Sequence, residues 1–105
     1  MLTIKEFQEL LSFQTLTITK HGKQRLQERE IRVDDVMTAI KNGEIIKQYE
    51  DDKPLPSCLV LGKDKKGQSI HLVLSHDEVF IYLITAYYPD VKIWSADFRK
   101  RKERT

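Results

Sequence analysis

The sequence predicts an α+β domain in which N-terminal helices precede a roughly four-stranded antiparallel sheet. Apolar residues recur at helical spacing up to Gly43 and at extended spacing from Glu44 onward. The extended segments follow one another through short turn sequences, the order of an α+β chain rather than of an alternating α/β one. A length of 105 residues, with 32% charged and 40% hydrophobic side chains, fits one domain around one core.

Ile4, Phe7, Leu10 and Leu11 share one helical face, so the first dozen residues read as a short amphipathic helix with Thr3 as its N-cap. Gln14 to Thr19 reads as a Thr-rich connector. A second helix runs from Thr19 to about Glu30; its apolar content is mainly Leu26, which leaves most of its surface to solvent or to a site. Ile31 to Val33 breaks that pattern. In the third helix Val36, Met37 and Ile40 form the buried face, Asp34 and Asp35 suit the positive N-terminal end, and Gly43 is the stop.

The strands follow as Glu44–Glu50, Cys58–Lys63, Gln68–Ser75 and Val79–Tyr88, the last apolar on both alternating faces as a central strand would be. Val91–Trp94 suits either a short edge strand or the approach to a helical tail. The domain organisation is therefore an N-terminal helix over residues 1–16, an α+β domain over 17–95 and a basic tail over 96–105.

Several classes are excluded. Lys5, Glu6 and Glu9 interrupt the N-terminus, and the longest apolar stretch is too short for a bilayer, so neither secretion nor a membrane location is expected. One cysteine, Cys58, forms no internal disulfide and reads as a small buried apolar residue, which suits a cytoplasmic protein. Gly22, Gly43, Gly62 and Gly67 are isolated, with no dinucleotide or phosphate-loop spacing, and the three histidines lack ligand spacing, so no cofactor and no metal are expected.

The net charge is only +2, but it is unevenly distributed. The tail from Arg99 holds Arg99, Lys100, Arg101, Lys102 and Arg104 against Glu103, leaving 13 basic against 15 acidic side chains elsewhere. A second basic zone carries Lys20, Lys23, Arg25, Arg29 and Arg32. Both zones are candidate phosphate contacts, through Lys20, Lys23 and Arg32 in one and Arg99, Lys100 and Arg101 in the other.

His21, Arg25 and Arg29 stand four residues apart, which on a helix makes one stripe. Three such groups side by side repel one another unless an anion meets them. That anion is either an acidic stretch of the chain, such as Glu50–Asp52, or a phosphate. With phosphate, His21 would move a proton near neutral pH while the arginines hold the developing charge. His71, on the strand face opposite Ile70 and Leu72, is the candidate second proton-transfer group, against the plainer reading of a strand histidine donating to a backbone group. Thr85 and Tyr87 share a strand face and offer a hydroxyl and a phenol to position a substrate, or simply pack across strands. His76 reads as an exposed turn residue, and Trp94 as a core or edge anchor.

The segments ITKHGKQRLQEREIRVDDVMTAIKNGEIIKQYEDD, LVLGKDKKGQSIHLVLS and ITAYYPDVKIW together resemble the DUF4258 family over about Ile18 to Trp94. That family is similar to the barnase, EndoU, colicin and RelE group of small ribonuclease folds. The resemblance implies a RelE-like fold, metal-independent cleavage of RNA, and His21, Arg25, Arg29, His71, Thr85 and Tyr87 as the positions to examine. Gly22 departs from the pattern where a helix former is expected, and Arg32 where a Ser or Thr cap is expected. The leading expectation is an endoribonuclease with RNA as substrate and a cognate antitoxin or other protein as partner. The alternatives are a non-catalytic module of the same fold that binds RNA or protein, and a regulatory, antitoxin-like protein with the first helix and Glu50–Lys53 as partner surface.

Overall fold

A computed structural model describes residues 1–102, so the tail residues Glu103 and Arg104 lie outside the described residues. Three helices, α1 (Ile4–Leu10), α2 (Lys20–Glu28) and α3 (Val33–Asn42), accompany five strands, β1 (Leu16–Ile18), β2 (Glu44–Tyr49), β3 (Ser57–Lys63), β4 (Ser69–His76) and β5 (Ile81–Tyr87). The sheet order is β1-β5-β4-β3-β2, with β1 parallel to β5 and every other pair antiparallel.

The α+β class holds, and the sheet is corrected from four antiparallel strands to five mixed ones. The segment expected as a connector supplies β1, which pairs Leu16 with Ile81 and Ile18 with Leu83. Three residues are too few to show an alternation, and the partner lies more than sixty residues away. Among the described residues no helix is long and apolar enough to cross a membrane.

The helices start where their caps dictate. Thr3 and Glu6 form a reciprocal capping box at α1. The Thr19 hydroxyl accepts from the Gly22 amide at α2, and α3 begins behind Arg32 with no side-chain cap. Gln8 of α1 donates to the Lys41 carbonyl, one of the free carbonyls closing α3.

Alternation along the strands divides the sheet into two faces. Cys58, Val60, Ile70, Leu72, Leu74, Ile81, Leu83 and Ala86 join Phe7, Leu26, Val36, Ala39 and Ile40 in one buried core beneath the helices. The opposite face carries Leu59, Leu61, His71, Val73, Thr85 and Tyr87, matched across strands as Leu61–His71, His71–Tyr87 and Val73–Thr85. A bulge in β5 beside Val73/Leu74 lets Leu83 and Ala86 face the core while Thr85 and Tyr87 face away.

Gly22 meets a specific need. A Cβ there would stand 2.6 Å from the Leu83 carbonyl oxygen, so the close approach of α2 to β5 admits only glycine, and the departure from the family pattern noted above has a packing cause.

His76 is corrected from an exposed turn residue to the last residue of β4, with its side chain 7% exposed. Its ring meets Phe7 edge-on, and its Nδ1 accepts from the Glu78 amide. The last strand also starts later than its apolar run, since Val79 and Phe80 sit exposed in the preceding turn around the Asp77 carboxylate.

Candidate functional site

After Tyr87 the chain turns back over the sheet face that the helices leave open. Residues 90–102 form a strap of turns rather than a strand or helix, closed by an antiparallel bridge between Trp94 and Arg101 and by the Lys102 amide donating to the Ile93 carbonyl. Arg99 ties the strap to β2 through Glu44 at 2.5 Å.

His71 is the anchor beneath it. The side chain is fully buried, with Nε2 2.8 Å from the Phe98 carbonyl oxygen and Nδ1 3.1 Å from the Tyr87 hydroxyl. A carbonyl only accepts, so Nε2 carries the proton, and Nδ1 of the neutral ring accepts from the Tyr87 hydroxyl. Burial lowers the His71 pKa, against the raising effect of the Phe98 carbonyl. Trp94 meets the same ring edge-on at 4.5 Å.

Between strap and sheet lies a cleft of about 380 Å³. Tyr49, Tyr87 and Trp94 are its aromatic walls, and Lys47, Lys100 and Arg101 line it with positive charge. Each ring carries one cation against it: Lys47 over Tyr49 at 5.5 Å, Arg101 over Trp94 at 6.0 Å, and Arg29 over Tyr87 at 5.9 Å from the sheet edge. Burial raises the pKa of both phenols, with Arg101 opposing it at Tyr49 and Arg101 and Arg29 opposing it at Tyr87. Both tyrosines therefore enter neutral solution as protonated donors.

Of the residues expected at the site, Arg29, His71 and Tyr87 come together, and Arg101 and Lys100 join them from the strap. The His21–Arg25–Arg29 stripe does not act as a unit. His21 is exposed on the first turn of α2, Arg25 pairs with Glu28 at 2.9 Å, and Arg29 is already the C-cap, where its guanidinium donates to the Ala86 carbonyl at 2.6 Å. His71 lies on the sheet face away from the helices, so it does not share a concave site with His21. Thr85 faces the same side as Tyr87, opposite Val73, with no side-chain hydrogen bond among the described residues. Lys20, Lys23 and Arg32 are exposed around α2 and its exit, and Arg99 is held by Glu44 and Asp97.

Tyr49 and Lys47 were missed. Their signal was their shared parity on β2, which sends both to one face of that strand. Trp94 is 9% exposed, as an anchor should be, and it is a wall of the cleft at the same time.

A family model described as a domain of unknown function, DUF4258, matches residues 18–88. No curated protein and no solved structure matches the chain.

Proposed function

The chain belongs to the DUF4258 family, and from the cleft that its sheet and strap enclose we propose that it binds single-stranded RNA. The observation that carries this reading is the set of three aromatic rings, each with a cation against it, around one cleft. Aromatic faces stack on unpaired bases whatever their identity, and Lys and Arg beside them meet the phosphates. Tyr49 and Tyr87 are only half-buried and present the stacking surfaces, whereas Trp94 closes the wall.

One observation favours a second reading, a metal-independent endoribonuclease of RelE-like fold. In that reading the Tyr87 hydroxyl takes the proton of a ribose 2′-hydroxyl while passing its own to His71 Nδ1; the 2′-oxygen bonds to phosphorus, the bond from phosphorus to the 5′-oxygen breaks, and the leaving oxygen takes a proton from water, with Arg29 near Tyr87 to meet the phosphate charge. Burial of His71 opposes the imidazolium this step creates, and both ring nitrogens are already engaged, so binding is the leading reading.

The test is fluorescence anisotropy of a labelled single-stranded RNA with wild type, Tyr49→Ala and Tyr87→Ala, followed by cleavage of the same RNA in EDTA. Salt-sensitive binding weakened by both substitutions is expected. No binding by wild type sinks the reading and moves the search to a protein partner such as an antitoxin. Cleavage in EDTA that disappears in Tyr87→Phe with binding retained would promote the second reading.

A further inference from the structure

The positive charge of the cleft is local. Lys47, Lys100 and Arg101 line it, and among the described residues no carboxylate lies within ion-pairing distance of any of the three. Its volume of about 380 Å³ is near the small end of the range for small-molecule pockets, about 300–1,000 Å³. That suits one nucleotide unit rather than a run of them.

Beyond Tyr49 the charge changes sign. The same ring is a wall of the next groove on the open sheet face, which Glu50, Asp51 and Asp52 line together with Ser57 and Val73, and no Lys or Arg lines it. None of these three carboxylates has a cation within ion-pairing distance among the described residues; Asp52 only accepts from the Ser57 hydroxyl at 2.7 Å. On the other side Arg99 is the shared wall, and Glu44 and Asp97 already take it up. In the groove behind it those two carboxylates balance Arg99 and Lys63. A phosphate leaving the cleft therefore meets repulsion past Tyr49 and no net attraction past Arg99, both acting within a Debye length of about 10 Å at 0.1 M salt. A site for a long tract needs a cationic groove that tracks the backbone, and here that groove ends where the carboxylates begin.

We infer that the cleft takes a single nucleotide unit of the strand, its flanking phosphates on Lys47, Lys100 and Arg101, and that Glu50, Asp51 and Asp52 set this limit by keeping the next phosphates off the open sheet face. This deepens the reading of the cleft as an RNA site and rests on it. The nucleotides on either side of the bound unit stay in solvent.

The experiment titrates a uridine trinucleotide, oligouridine of about twelve nucleotides and uridine 5′-monophosphate against the full chain and a Glu50→Gln/Asp51→Asn variant, a long-strand length within the footprint range of small single-strand binders. Both replaced side chains are exposed, and Asp52 keeps its hydrogen bond, so the variant should hold the melting temperature of wild type. Wild type should bind the two strands alike once the long strand's overlapping registers, about ten, are counted. Their slopes of log K against log salt should differ by less than about 0.7, the contribution of one single-strand phosphate contact. The variant should bind the long strand severalfold more tightly than wild type does, a gain that high salt removes, with the trinucleotide close to its wild-type affinity. The monophosphate should bind more weakly than the trinucleotide. A steeper long-strand slope in wild type, or no long-strand gain in the variant, overturns the limit and leaves the cleft standing. Equal binding of monophosphate and trinucleotide overturns the strand assignment in favour of a free nucleotide. No binding of any of the three overturns the cleft reading and this inference with it.

Discussion

The Tyr87 hydroxyl donates to Nδ1 of His71 at 3.1 Å, and the same imidazole uses Nε2 to hold the Phe98 carbonyl at 2.8 Å. One buried ring therefore joins the last strand to the strap above it. The arrangement uses the neutral ring fully, and protonation would place a second N–H where the Tyr87 hydroxyl now donates.

Acid should therefore loosen the protein through His71. Its folded-state pKa lies below the ordinary 6.5 because burial disfavours the charge. Above that value neither state is protonated there and nothing is gained or lost. As pH falls below it, the unfolded chain takes up the proton first, so stability declines until the folded ring also titrates. Urea midpoints between about pH 7.5 and about pH 5.5 should fall more steeply for wild type than for His71→Gln. Parallel slopes would refute the assignment.

Tyr49 separates binding from folding more cleanly than Tyr87 or Trp94. Its hydroxyl makes no hydrogen bond among the described residues, and its ring walls the cleft. Tyr49→Ala should weaken RNA binding by about 1–3 kcal/mol, the worth of one stacked base, whereas Tyr49→Phe should keep most of the affinity. Trp94→Ala should lower the melting temperature as well, because that ring packs on His71. Anisotropy titrations beside thermal melts distinguish the three variants.

Gly22→Ala reverses the usual sign of a helix substitution. Alanine gains about 1 kcal/mol of helix propensity over glycine. Here the added carbon would press on the Leu83 carbonyl at 2.6 Å, and backbone cannot swing aside as a side-chain tip can. Overpacking of this kind costs about 1–3 kcal/mol, so the net effect in chemical denaturation should be a loss. A gain would mean that α2 and β5 part more easily than their shared hydrogen bonds at Leu83 imply.

Cys58 should be inert in the folded protein. It is fully buried in β3, and burial pushes its thiol up to about 12. A thiol-specific chromogenic reagent near neutral pH should leave it unmodified until denaturant is added. Rapid labelling of the native protein would show that β3 opens locally.

Much of this architecture was legible because it is periodic and local. Thr3 and the spacing of Ile4, Phe7 and Leu10 announced α1, Val36 and Ile40 announced the buried face of α3, and the strands from Glu44 onward followed from their extended periodicity. What escaped depends on partners distant in sequence. β1 exists because Leu16 and Ile18 find β5, and the strap lies flat because Phe98 and Trp94 find His71. The four-residue stripe illustrates the limit at a site. Spacing brought His21, Arg25 and Arg29 together on paper, whereas the end of α2 at Glu28 gave Arg29 to the sheet edge and left Arg25 to its neighbour. The face occupied by His71 was readable from Ile70 and Leu72, but what covers it was not.

The family match stops at residue 88, just before the strap begins. Tyr49, His71 and Tyr87 lie inside the matched residues, while Trp94, Lys100 and Arg101 lie beyond them on the strap. The two stretches are nevertheless joined, because the buried His71 of the sheet holds the Phe98 carbonyl of the strap. Losing residues 90–102 would therefore both open one wall of the cleft and uncover a buried imidazole, as lifting a keystone opens an arch and loosens its neighbours.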